Sequence, residues 1–152
     1  MRRAVAALAL ACACAAGTAC GSGTAAVPIE RGAPCAFCRM AIVDEHLAAE
    51  IVAPGEEPRQ YDDIGCLAND LQKRAIPSGG RAFVADYRSG ALLPAESAIY
   101  SRVEALATPM MSHLFAHPND AARLADARVR EGVRMTPREV FGSTLPGGSD
   151  GR

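Results

Sequence analysis

The chain has 152 residues, of which 22% are charged, with a formal net charge of −1. That allows one compact domain or two very small ones, and it leaves no basic footprint for a nucleic acid. With no Trp and 5% aromatics, base-stacking surfaces and large aromatic-lined pockets are excluded, and six Cys beside five Met become the feature to explain.

In chain order, Arg2 and Arg3 form a short basic start, and residues 4–16 are an apolar run of Ala, Leu, Val and Cys. Small residues follow, then Cys20-Gly21-Ser22-Gly23. The run is short of the roughly 18–20 residues that a membrane-spanning helix needs. This is the shape of an export signal, and a Cys just after small residues is similar to a bacterial lipoprotein signal with Cys20 as the lipidated position. The expected division is a signal over 1–19, a tether over 20–33, a folded body over 34–142 and a disordered tail over 143–152. Removing Arg2 and Arg3 from 16 basic residues leaves 14, against 17 acidic, so the mature chain is mildly acidic. Cys12 and Cys14 leave with the signal. Cys35, Cys38 and Cys66 stay on the domain, an odd set that cannot all pair internally.

Met40-Ala-Ile-Val43 reads as a short strand and Ala48 to Ala53 as a second. Asp62 or Asp63 caps a helix to about Arg74, with Ile64, Leu67, Ala68 and Leu71 on one face and Pro77 beyond its end. Arg81 to Tyr87 reads as a third strand. The order then repeats: Ala98 to Glu104 and Met111 to Ala116 as strands, a helix capped by Asn119 and running to about Glu131, a strand over Val133 to Thr136, and a helical turn opened by Pro137. The expected class is α+β, two ββαβ units of about 34–90 and 91–142. Each is too small to bury a core alone, so they pack together.

The chemistry lies in Cys35-Ala-Phe-Cys38-Arg-Met40, which joins Cys-x-x-Cys to Cys-x-Met. Two thiolates and a thioether are soft donors, suited to Cu(I). Met110-Met111 from the second unit offers a further sulfur, and His113 is a borderline donor nearby. Other readings stay open: a disulfide, a redox pair, or a four-ligand zinc site built from Cys35, Cys38, Cys66 and a His. A redox pair usually starts a helix, whereas this one leads into a strand-like run. Cys66 reads as a buried structural Cys in the first turn of its helix, and Asp62-Asp63 as that helix's cap. His113 and His117 are four apart without a His-Glu-x-x-His pattern, and at least one reads as ordinary surface. No phosphate-binding loop follows a strand.

These residues resemble the NosL family, lipoprotein accessory factors of nitrous oxide reductase. The likeness rests on Cys38-Arg-Met40-Ala-Ile, Ala49-Glu50-Ile51, Tyr61-Asp-Asp-Ile-Gly-Cys66, Thr108-Pro-Met110, Phe115 and Thr136 to Phe141. It implies a Cu(I) carrier, not an enzyme, that is membrane-anchored and faces the periplasm or cell exterior. It also implies that copper comes from a membrane donor and passes to a metalloenzyme such as the reductase. The family motif places ligands at Cys38, Met40 and Met110, and the Cys-x-x-Cys spacing puts Cys35 close enough to share the ion as a helper. Two positions depart from the pattern: Arg39 and Met111 stand where the family usually has Gly, and Met111 is a spare ligand or a substitute for Met110.

Overall fold

The computed structural model describes residues 24–145. The expected export signal, Cys20 and the end of the expected tail lie outside the described residues. A 3-10 turn at Glu45–Leu47 precedes β1 (Ala49–Val52) and β2 (Arg59–Tyr61), then α1 (Ile64–Leu71), β3 (Arg81–Ala85) and β4 (Leu92–Pro94). The second half holds β5 (Ile99–Arg102), β6 (Leu114–His117), α2 (Asp120–Ala125), β7 (Val133–Met135) and α3 (Pro137–Phe141). The class is α+β. One antiparallel sheet has the order β2-β1-β3-β4 and the other β6-β5-β7.

Local sequence explains the helices. Asp63 caps α1 by accepting from the Gly65 amide at 2.6 Å. Asn119 caps α2 by accepting from Ala122, and Thr136 with Glu139 forms a capping box on α3. α1 stops at Leu71 rather than Arg74, because Lys73 and Arg74 fold their amides back onto the Asp70 carbonyl in a closing turn. α2 ends six residues before the expected Glu131. The Asp126 carboxylate takes the Arg128 amide at 3.0 Å, and this local bond competes with helix continuation.

The strands depart further from expectation. Met40 to Val43 is not a strand. Only Ala41 forms a bridge, to Pro34, and left-handed Arg39 (φ 70°) breaks the extended run just before it. β2 and β4 were not anticipated. Arg59-Gln-Tyr61 has little strand character of its own and is recruited by pairing Tyr61 with Ala49 and Arg59 with Ile51. Leu92–Pro94 ends in a Pro and lies at a sheet edge, where a missing donor is tolerated. It pairs with β3, so the first sheet runs past residue 90. β6 starts at Leu114 instead of Met111, because Met111 and His113 are both left-handed (φ 55° and 59°).

The two sheets meet where the Tyr87 amide donates to the Ala116 carbonyl at 2.9 Å, beside a parallel bridge from Asp86 to Ala116. Ile51, Tyr61, Leu67 and Val84 from the first half share one buried core with Tyr100, Leu114, Ala116 and Phe141 from the second. Tyr100 and Phe141 meet edge to face at 5.6 Å. Burying each such side chain contributes about 1.5–3 kcal/mol, and neither half keeps that burial without the other. Leu145 is still packed in this core.

The segment expected as a tether is pinned to the first sheet. The Val27 amide donates to Glu50 Oε1 at 2.8 Å. Gln60 donates to the Pro28 carbonyl and accepts from the Glu30 amide. Glu50 is fully buried, and burial raises its carboxyl above the ordinary glutamate value, with the Val27 amide and Gln60 opposing. A raised folded-state value means Glu50 favours folding below the ordinary glutamate range and loses that contribution as pH rises through the raised value. Unfolding midpoints of Glu50→Gln against pH should therefore be flatter than wild type across that window. Parallel curves would show that Glu50 is not the source.

Candidate metal centre

Three segments converge on the start of α1. The first is the turn over residues 35–40. It is closed by the Cys35 amide donating to the Met40 carbonyl at 2.7 Å and by the Arg39 amide donating to the Cys35 carbonyl at 3.0 Å. The Ala36 amide donates to the Gln60 carbonyl at 2.8 Å, which fixes this turn to β2. The Phe37 ring packs on the core under the Lys73 ammonium, 4.7 Å from its centroid.

The second segment is the β2–α1 junction, Tyr61 to Cys66. Tyr61 Oη donates to Asp70 at 2.6 Å, and Arg59 pairs with the same carboxylate at 3.1 Å, so the strand is locked onto the helix that follows it. Asp63 caps the helix with one oxygen. Its other oxygen accepts from the Met110 amide at 2.9 Å, holding the third segment, residues 108–113. That loop is braced inside by Thr108, which accepts from the His113 amide at 3.1 Å and meets the Ser112 hydroxyl at 3.3 Å.

The result is a buried cluster. The Sγ atoms of Cys35, Cys38 and Cys66 and a carboxylate oxygen of Asp62 all lie within 4.8 Å of one another. Cys35 and Cys66 are fully buried, Asp62 is 1% exposed, and Cys38 is half-buried. The Cys38 thiol donates to Asp62, 3.4 and 3.5 Å from its two oxygens. Burial raises the Cys38 thiol, the Met40 amide opposes this, and Cys35 and Asp62 add to it. Burial also pushes the Cys66 thiol far up, helped by Asp62 and Cys35. A helix start favours a thiolate, but at Cys66 burial outweighs it. Three soft sulfurs and one hard oxygen make a set that can hold a metal ion, at the cost of displacing thiol protons.

The expected site residues divide into two groups. Cys35 and Cys38 enter the cluster. Met40, Met110 and Met111 are 53%, 41% and 60% exposed, on the two loops that meet the start of α1. Cys66, expected as structural, is a member. So is Asp62, which was read only as part of a cap. Their spacing of four across a helix start was the available signal, since it brings both side chains to one side of the first turn. No His joins the cluster, so the fourth position of a zinc-type set falls to Asp62. His113 Nδ1 is bonded to the Leu106 carbonyl at 2.8 Å. His117 is fully buried, 3.4 Å from Asp126, and neither histidine is ordinary surface.

Among the described residues, the left-handed non-glycine positions are Arg39, Met111 and His113, all in the two loops that carry the exposed methionines. Such a conformation costs a residue with a Cβ about 1–2 kcal/mol, and strain of this kind collects at functional sites. Arg39→Gly and Met111→Gly should each raise stability by about 1 kcal/mol in urea unfolding. A loss would show that their side chains are held by packing.

Comparison with known proteins gives no match: no family model, no curated protein and no solved structure is significantly similar to this chain.

Proposed function

We propose that this chain is an exported, lipid-anchored carrier of Cu(I), which it hands to a copper-receiving metalloenzyme such as nitrous oxide reductase or a related client. The observation that carries this reading is a half-buried thiol, Cys38, grouped with two buried sulfurs, with the exposed Met40 and Met110 on loops bonded to Cys35 and Asp63. Soft donors in low number suit Cu(I), and a solvent-facing thioether is where an incoming ligand can begin an exchange. The copper set is Cys38 with Met40 and Met110, with Cys35 as helper and Met111 as spare.

Two further observations support the reading. The positions where the NosL pattern has Gly are Arg39 and Met111, and both have the backbone conformation that glycine adopts without strain. The element orders β1-β2-α1-β3 and β5-β6-α2-β7 are compatible with paired ββαβ units. The carrier makes and breaks no covalent bond, so the reading is not that of an enzyme.

The rival is a thiol–disulfide oxidoreductase using Cys35 and Cys38. A reactive thiol in such a site is lowered by a helix start or a nearby cation. Here the pair lies in a turn, and the accessible thiol, Cys38, is raised. Titration of the reduced protein with Cu(I) against a competing chelator tests the carrier. Cys38→Ser and Met110→Leu should each weaken binding at least tenfold. Binding no tighter than to a thiol-free variant would end the copper reading, and Cys35-dependent reduction of insulin would favour the rival.

A further inference from the structure

We infer that the buried cluster at the start of α1 is a second metal site, a closed tetrahedral set of Cys35, Cys38, Cys66 and Asp62 for Zn(II) or a similar soft divalent ion. We further infer that it excludes copper because both sites need Cys38. The competition half rests on the copper reading above, whereas the divalent site stands on the cluster alone.

Donor number comes first. Zn(II) takes four ligands, mostly sulfur in closed sites, whereas Cu(I) favours fewer and softer donors. The cluster offers three sulfurs and one carboxylate oxygen, and that oxygen is of little use to Cu(I). Charge points the same way. With every ligand ionised, three thiolates and a carboxylate carry four negative charges. A divalent ion leaves two uncompensated and a monovalent ion leaves three, and the excess charge costs more where three of the four donors are shut off from water. Distance permits the ion: around a tetrahedral zinc, sulfurs sit about 3.8 Å apart, and the four donor atoms here already lie within 4.8 Å of one another. Bringing them in asks for a contraction of about 1 Å at most.

The cluster is also built rather than accidental. Cys35 is fixed by both backbone bonds of its turn, and Cys66 lies on a capped helix. Asp62 sits between the strand and helix that the Asp70 network ties together. Cys38 alone of the four is partly open to solvent, one residue from the left-handed Arg39 and two from Met40. It is therefore the donor that can turn outward to the methionines or inward to the cluster. An ion inside engages Cys38 and disables the copper set, while an ion on the copper set opens the inner one.

Co(II), added anaerobically to the reduced protein without residues 1–20, whose only thiols are Cys35, Cys38 and Cys66, reads the inner set directly. One ion per chain should bind with thiolate-to-metal charge transfer and tetrahedral visible bands, and Zn(II) should displace it. Cys66→Ser should weaken Co(II) at least tenfold. Asp62→Asn, which keeps the packing, should shift the visible bands and weaken binding. Met40→Leu and Met110→Leu should change Co(II) affinity less than threefold. Adding Cu(I) to the Co(II)-loaded protein should release cobalt one for one. Co(II) affinity and spectra unaltered in Cys66→Ser and Asp62→Asn would overturn the inner site. A chain that carries one Co(II) and one Cu(I) together would overturn the shared Cys38. If Co(II) binds as described and Cu(I) does not bind at all, the copper proposal falls while the divalent site stands.

Discussion

Asp70→Ala should cost about 3 kcal/mol of stability in urea unfolding and lower the thermal midpoint by roughly 10 °C or more. The carboxylate of Asp70 is 3% exposed and holds three partners. One oxygen takes the Tyr61 hydroxyl at 2.6 Å and Arg59 at 3.1 Å. The other takes Arg74, whose Nε lies at 2.8 Å. Removing it strands a fully buried hydroxyl and a guanidinium that is 17% exposed. The hydroxyl loses the bond that satisfies it in the interior, while Arg59 loses its charge partner and keeps only the Ala75 carbonyl. Arg74 is half in solvent, so Arg74→Ala should cost less than about 1 kcal/mol, as exposed pairs do. Because Arg59 and Tyr61 belong to β2 while Asp70 belongs to α1, the same change loosens Asp62 against Cys66. Metal affinity should fall with stability. A loss below about 1 kcal/mol would mean that β2 and α1 are held together by apolar packing alone.

Gly65→Ala should lower stability by about 2 kcal/mol, although helix propensity by itself predicts a gain of nearly 1 kcal/mol. The sign is decided by contact. A Cβ at position 65 would sit 2.5 Å from Ser112 Cβ, next to the backbone, and 3.0 Å from Asp63 Oδ1, which is held by its cap bond to the Gly65 amide. Relief requires the 108–113 loop to move off α1, which breaks the bond from the Met110 amide to Asp63. Cu(I) affinity should fall together with stability, while Co(II) binding at the inner cluster should hardly change. A stabilised Gly65→Ala protein would show that the loop does not rest on the helix.

Both changes act through the β2–α1 junction, and that junction is where the sequence was hardest to read. α1, its Asp cap, the Asn119 cap and the helical turn opened by Pro137 were legible because each depends on neighbours within about four residues. β1, β3 and β5 were legible for a similar reason, as apolar or alternating runs broken by turn residues. β2 was not, because Arg59-Gln-Tyr61 becomes a strand only when β1 lies beside it. Arg39, Met111 and His113 displaced the expected strands at 40–43 and 111–113, since nothing in their side chains announces a left-handed backbone.

The sequence by itself determined where the three helices start, the caps of α1 and α2, the α+β class, and the presence of three thiols and several thioethers on a small domain. Tertiary structure decided which of these act together. Cys66 and Asp62 joined Cys35 and Cys38 because α1 docks its first turn against the 35–40 turn, while Met40, Met110 and Met111 are exposed on the two neighbouring loops. The physical reason is range. Capping and periodicity are interactions along the chain, but the gathering of four donors depends on how β1 recruits β2 and how Asp70 fixes the helix that follows it.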